Sequence, residues 1–334
     1  MVNKGLARTI MLRLLVLLFV CAPSLVFADG YLSHPGYAAF EQRMVSEHGF
    51  SEGELRAWFG QAERKQSILD AISRPAEKRL TWGEYRKIFM TDSRISAGVA
   101  FAKENAAALK RAEDEYGVAP EIIVAIIGVE TRYGGNMGSY RVIDSLSTLA
   151  FDYPPRAKFF MGQLEHFLIM TREQGFDAME LKGSYAGAMG MGQFIPSSFR
   201  DFAVDFDGDG KADIWSNTTD AIGSVANYFA KHKWTHGEPV VVEADVAGTI
   251  DSAAMNVSLE PSVAAGELAT IGLRPRSDIA PELRVSPMQM EAEAGYEYWV
   301  GLHNFYVITR YNHSSMYALA VYQLSAAIAA QAQS

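Results

Sequence analysis

Val124-Ala-Ile-Ile-Gly-Val-Glu130-Thr-Arg-Tyr-Gly134 places a single carboxylate at the end of an otherwise apolar run. Pro120 stands where a first helical turn tolerates proline, and Gly134 and Gly135 are natural stop residues, so the segment predicts one helix of about three turns. Ile123, Ile126 and Ile127 share the stripe of Glu130, and Ile122, Ala125 and Val129 make the remaining faces apolar too. An ionised, unpaired carboxylate at the mouth of a buried helix costs roughly several kcal/mol, so its pKa is expected to rise. That is the state a general acid needs. A frayed-end carboxylate pointing to water, or one neutralised by Arg132, fits the same spacing, so this helix alone leaves both roles open.

The chain has 334 residues, 49% of them apolar, which is ample for a large core and two or three subdomains. Residues 1–28 read as a signal peptide: Lys4, Arg8 and Arg13 are its basic start, Leu14 to Val20 its short apolar run, and Val26-Phe27-Ala28 its cleavage site. The run is too short for a comfortable membrane span. Cleavage is favoured over lipid attachment at Cys21, because Phe19 and Val20 are bulky where such sites take small residues. A periplasmic mature chain is expected, with no cysteine and no disulfide. Removing the three basic residues of this segment takes the formal charge from -9 to -12, which argues against nucleic acid and anionic membrane surfaces as partners.

Between residues 36 and 116 the apolar spacing is helical, through Tyr37 to Met44, Leu55 to Phe59 and Ile88 to Leu109, and the charges within Ala100 to Tyr116 read as a solvated helix face. After Trp234 the composition changes. Strands are expected at Pro239 to Val246, Ala269 to Leu273 and Tyr298 to Ile308, in a small β-rich insertion over residues 235–300. Helix returns from Asn304 to Leu324, and the Ala/Gln tail is expected to be disordered.

Gly183-Ser-Tyr-Ala-Gly-Ala-Met-Gly-Met-Gly-Gln-Phe-Ile-Pro-Ser-Ser198 alternates small residues with a few large ones, as a backbone that approaches something closely would. It is no phosphate loop, since no lysine follows the glycines and no strand precedes them. Close helix packing is one explanation. The other is a wall that hydrogen-bonds a sugar through Ser184, Tyr185 and Gln193.

Together with Asp144 to Arg156 and Arg310-Tyr-Asn-His-Ser314, the two segments resemble the lytic murein transglycosylases of type B, in the lysozyme-like superfamily (glycoside hydrolase family 103), in that family's order and from about residue 36 to 325. The resemblance implies a mainly α (α+β) fold. A helical domain would cover residues 29–119, a lysozyme-like core 120–234, the β-rich insertion 235–300, and a C-terminal return 301–334. It implies cleavage of the β-1,4 bond between N-acetylmuramic acid and N-acetylglucosamine in peptidoglycan, leaving 1,6-anhydro ends, with Glu130 as acid and then base. Ser184 and Gln193 then resemble glycan-contacting residues, and Tyr228, Tyr311, Asn312 and Tyr317 further cleft residues. Arg156 is a candidate for the peptide or lactyl carboxylate. Glycan strands are the implied partner, with cell-wall enzyme complexes a further candidate, and the chain is expected to be a monomer. The alternatives are a non-catalytic peptidoglycan-binding protein on this scaffold and a hydrolase of the same bond. A hydrolase needs a second carboxylate, for which Asp144 and Asp152 are candidates, although each fits a cap or buried hydrogen-bonding residue better.

Asp205-Phe-Asp-Gly-Asp-Gly-Lys-Ala-Asp213 matches the start of a helix-loop-helix calcium loop, with carboxylates at positions one, three and five and glycine at six. Lys211 would add its carbonyl at seven. Position twelve is Ser216 rather than glutamate, so Asp220 is the expected closing ligand of a longer loop, which the family resemblance supports, and Asp213 its rival. The expected ion is a structural Ca2+.

Overall fold

The helix that carries Glu130 is buried in the main hydrophobic core. In the computed structural model, which describes residues 30–73 and 80–333, the chain reaches it through α1 (Tyr37–His48), α2 (Glu52–Phe59), α3 (Gln66–Ser73), α4 (Trp82–Phe89), α5 (Asp92–Glu104) and α6 (Ala106–Tyr116). The expected signal peptide and Cys21 lie outside the described residues. The acid helix itself, α7 (Pro120–Thr131), opens on Pro120 at its first position. Ile122 to Ile127 are all buried along it. Asn105 divides the long Ala-rich stretch into α5 and α6, its side-chain amide donating to the carbonyl of Phe101 at 2.8 Å.

Beyond α7 come β1 (Tyr140–Arg141), α8 (Val142–Asp152), α9 (Ala157–Gln174), β2 (Lys182–Gly183), α10 (Pro196–Phe202) and α11 (Thr218–Lys231). The small sheet follows, with β3 (Val241–Val246), β4 (Val263–Ala264), β5 (Leu273–Pro275), β6 (Arg284–Glu291) and β7 (Tyr296–Gly301) in the spatial order β4-β6-β7-β3-β5, every pairing antiparallel. The chain returns as α12 (His303–Tyr311) and α13 (Ser315–Ala332), and α13 packs along α7, α5 and α4. One hydrophobic core runs from Tyr31 to Ile328. The architecture is mainly α, as expected.

Strand alternation explains how the sheet is used. Met288 pairs with Trp299, and both join the helical core, whereas Val300 faces the other way and packs with Ala244, Leu273, Val285 and Leu268 in a second, smaller core. Among the described residues no helix is long and apolar enough to cross a membrane.

Several expectations need correcting. Ala269 to Leu273 is mostly a 3-10 turn, Ala265–Ile271, ended by Gly272 at φ +84, and only Leu273 enters a strand. The strand expected to run to Ile308 stops at Gly301. Asn304, Phe305, Val307 and Ile308 are buried at helical spacing, and Asn304 bonds to the backbone of Thr235 and Glu238. The Ala/Gln tail is helical to Ala332, held by Ile328, which packs against Gly98 of α5 so closely that a Cβ there would lie 2.5 Å from it.

Asp144 and Asp152 are structural. Asp144 is 1% exposed, accepts the Glu63 N–H at 2.8 Å and receives a forked pair of bonds from Arg141 at 2.8 and 3.0 Å. Asp152 accepts the Tyr31 hydroxyl at 3.0 Å and pairs with Arg64 at 3.4 Å. Replacing Asp144 with alanine strands a backbone donor and a guanidinium, so denaturant unfolding is expected to show a loss of about 2–3 kcal/mol. A loss below about 0.5 kcal/mol, the range of an ordinary surface substitution, would refute this reading of Asp144.

Candidate active site

The chain leaves α7 through Arg132 (φ +52), Tyr133 (φ +60) and Gly134 (φ +85), so the turn after Glu130 is left-handed at two residues that are not glycine. Each such residue costs roughly 1–2 kcal/mol and persists only where its surroundings hold it. Three contacts do so. The Thr131 hydroxyl lies 2.9 Å from the Met191 carbonyl and 3.1 Å from the Ile127 carbonyl, and accepts the Gly134 N–H at 3.0 Å. The Tyr133 hydroxyl donates to the Arg94 carbonyl at 2.8 Å, with its ring where side chains at positions 98 and 128 would otherwise be. Buried Arg94 donates through Nη1 to the Gly128 carbonyl at 2.7 Å. The helix therefore stops before the expected glycines, at a turn fixed from three sides.

Glu130 is partly buried. Its Oε1 accepts the Tyr317 hydroxyl at 2.6 Å. Burial pushes the Glu130 pKa up to about 7, and the Tyr317 bond opposes that rise by favouring the carboxylate. Tyr311 and Tyr317 are raised well above the ordinary tyrosine value by burial and then by the charge of Glu130, and Tyr85 is raised by the same two causes. The acid thus faces three tyrosines. Among the described residues no basic side chain pairs with it and no second carboxylate bonds to it.

The glycine-rich segment forms the adjoining wall. Met189 bridges to both Gly183 and Phe194, which folds the segment back on itself. Glycine is required at 190, where φ is +67 and a Cβ would lie 2.6 Å from the Ile214 carbonyl, and at 192, where it would lie 2.8 Å from the Tyr311 hydroxyl. That hydroxyl donates to the Gly192 carbonyl at 2.6 Å. The Ser184 hydroxyl accepts the N–H groups of Ala186 and Ala188 at 3.3 and 3.0 Å and keeps its proton to donate. Gln193, left-handed at φ +52, donates to the carbonyls of Gly190 and Met137 at 3.0 and 3.3 Å.

Of the sequence-derived candidates, Tyr317 bonds Glu130 directly, Tyr311 feels its charge while bonding the glycine-rich wall, and Ser184 and Gln193 lie on that wall. Tyr228 stands behind: it is 7% exposed, bonds the Arg310 carbonyl at 2.5 Å, and packs its ring 4.7 Å from that of Tyr311. Asn312 is exposed directly after α12. Arg156 is also exposed, its guanidinium over the rings of Phe159 and Phe160, without contact to the Glu130 cluster. Tyr85 was not singled out from the sequence. It lies on an ordinary amphipathic helix, and only the packing of α4 against α13 brings it to the acid.

In the acidic loop, carboxylate oxygens of Asp205, Asp207 and Asp209 lie within 4.8 Å of one another. Asp220 is not in that cluster. It is fully buried beneath the loop, its two oxygens accepting the N–H groups of Phe206, Asp207 and Asp213. Asp213 accepts the N–H groups of Trp215 and Ser216, each at 2.9 Å. Lys211 has its ammonium 5.7 Å from the Phe176 ring centre. Three converging carboxylates, to which no cationic side chain bonds among the described residues, are a hard-oxygen donor set that suits Ca2+. The loop also touches the wall, since the Ile214 carbonyl accepts the Met191 N–H at 2.9 Å.

Comparison with known proteins gives the family. The chain is 44% identical over 308 residues to membrane-bound lytic murein transglycosylase B of Escherichia coli (strain K12), covering 90% of this chain and 84% of that protein. Among solved structures it superimposes on the soluble lytic transglycosylase SltB1 of Pseudomonas aeruginosa with a TM-score of 0.87 at 54% identity, over 90% of this chain and all of that one. The Escherichia coli lytic transglycosylase Slt35 in complex with calcium gives a TM-score of 0.85 at 43% identity, over 91% of this chain and 96% of that one. Residues 33–326 match the family described as Transglycosylase SLT domain, and the chain belongs to it.

Proposed function

We propose that Glu130 carries out both proton transfers of a peptidoglycan lytic transglycosylase. Its protonated carboxyl donates to the glycosidic oxygen between N-acetylmuramic acid and N-acetylglucosamine as the C1–O bond breaks. The resulting carboxylate takes the proton of the C6 hydroxyl as that oxygen closes on C1, giving the 1,6-anhydro end. The observation that carries this reading is a lone, partly buried carboxyl with a pKa of about 7 and one tyrosine hydroxyl as its partner. A group poised there is populated in both forms near neutral pH. Tyr317 suits the exchange of roles, because its hydrogen bond stabilises the carboxylate between the two transfers.

In this reading Ser184 and Gln193 hydrogen-bond the glycan, Tyr311 and Asn312 line the cleft, Tyr228 supports Tyr311 from behind, and Arg156 takes the lactyl or peptide carboxylate. Asp205, Asp207 and Asp209, with the Lys211 carbonyl, hold a structural Ca2+ above Asp220. The Slt35 complex with calcium supports that assignment. The helical segment 29–119, the core 120–234, the β-rich insertion 235–300 and the return 301–334 are its units. Residues 1–28 direct a monomeric enzyme to the periplasm, where it meets glycan strands and other wall enzymes.

Glu130→Gln is expected to fold normally and to lose at least about 10²-fold in turnover, the usual contribution of a general acid. Mass spectrometry of digested peptidoglycan would then show no anhydro ends, and near-normal turnover would remove the assignment. In the wild type, activity should fall as pH rises through about 7, where the acid loses its proton. Tyr317→Phe removes a bond that lowers that pKa, so its alkaline limb should move to higher pH; an unmoved limb speaks against the Tyr317 role. Calcium should raise the melting temperature, and Asp205→Ala should abolish the rise. Identical melting curves in calcium and in chelator would count against the metal site.

A further inference from the structure

Helix α4 is docked on the β6–β7 hairpin by a convergence of donors on one side chain. Glu297 of β7 accepts Trp82 Nε1 at 2.9 Å, Arg86 Nη1 at 3.1 Å and Trp299 Nε1 at 3.4 Å. Trp82 is 1% exposed, so its indole N–H has no access to water as an alternative partner. Two further contacts seat the same helix. Gly83 lets its backbone approach the hairpin turn, where a Cβ would lie 2.8 Å from the Glu293 nitrogen, and Lys87 pairs with Glu293 at 2.5 Å.

Trp82 and Arg86, one turn apart, form the stripe toward the sheet, while Tyr85 and Phe89, also one turn apart, form a second stripe, in which Phe89 meets Arg94 and Tyr85 feels the charge of Glu130. The Tyr85 and Phe89 rings are 5.1 Å apart, and the Arg94 guanidinium sits 5.1 Å from the Phe89 ring while donating to the Gly128 carbonyl in the last turn before Glu130. A continuous set of contacts therefore runs from Glu297 through α4 to the end of α7. The small sheet contributes no side chain to the acid's surroundings among the described residues, yet it sets the helix that does.

We propose that Glu297 is a positioning residue for the acid, holding α4 so that Tyr85 and Phe89 close over the last turn of α7. The small sheet thereby acts as a clamp on one wall of the cleft. The proposal rests on the reading of Glu130 as the acid. The titratable groups that couple to Glu130 from the packed elements are Tyr85 on α4, Tyr311 at the end of α12 and Tyr317 on α13. A displaced α4 would admit water to a carboxyl otherwise surrounded by uncharged groups.

The test is the pH dependence of turnover on purified peptidoglycan for the full chain and for Glu297→Ala, Glu297→Gln and Arg86→Met. For Glu297→Ala the expected result is a fall in kcat of about tenfold and a shift of the alkaline limb to lower pH by roughly half a unit or more, as the acid becomes more solvated. Glu297→Gln, which keeps one acceptor oxygen, should recover part of both effects. Arg86→Met, which leaves the Trp82 bond intact, should show a smaller shift of the same sign and serves as the deciding variant if Glu297→Ala does not fold. Folded variants with the wild-type kcat and pH profile overturn the proposal. Absence of anhydro ends from the wild type would instead overturn the assigned reaction, so the two failures are distinguishable.

Discussion

The hydroxyl of Thr131 joins the two halves of the site. It sits directly after Glu130, reaches the Met191 carbonyl in the middle of the glycine-rich wall, and accepts the Gly134 N–H that turns the chain away from the helix. Met191 is held in turn by the Ile214 carbonyl at the end of the acidic loop. One buried side chain thus sets the spacing between the acid and the surface that would hold its substrate. The small residues of the wall follow from that spacing: backbone has to pass within bonding distance of Tyr311 and Ile214, and a Cβ at 190 or 192 would prevent it.

The same closeness accounts for the electrostatics. The carboxyl has one hydrogen-bonding neighbour, the uncharged hydroxyl of Tyr317, so burial rather than ion pairing governs its proton affinity. A nearby arginine would have held it ionised, and a nearby carboxylate would have split the titration between two groups. Arg132 follows Glu130 by only two residues, yet its left-handed backbone takes it out of the helical path and it makes no ion pair with the acid.

Much of this was legible in the sequence where local pattern and tertiary role coincide. The isoleucine stripe beneath Glu130, the alternation of glycine in 183–198 and the spacing of Asp205, Asp207 and Asp209 are all short-range signals. Long-range roles were not legible. Tyr85 reads as one apolar position on a mixed helix, and the bonds from Asp220 to three backbone amides across a fold of the loop leave no mark in the local spacing. Strand β6 has a weak sequence signal because Val285 is its only β-branched residue, Pro287 stands inside it, and the residues it gives to the helical core are Met288 and Met290. The strand expected from Tyr298 runs past its true end at Gly301 into the helix expected from Asn304, because Phe305, Val307 and Ile308 are as apolar as Trp299 and Val300 and the buried Asn304 gives no periodic signal.

The left-handed turn after Thr131 also decides which end of a helix the acid occupies. Glu130 lies in the final turn of α7, where the unpaired carbonyls give the helix the negative pole of its dipole. That field opposes a negative charge on the carboxyl, in the same sense as burial, whereas the first turn of a helix would favour ionisation. Arg94 caps the Gly128 carbonyl and offsets part of the field, leaving it moderated rather than cancelled. The backbone of α7 therefore contributes to the proton affinity of Glu130 independently of any side chain in the cleft, and substitutions among the tyrosines alone would leave that part of it in place.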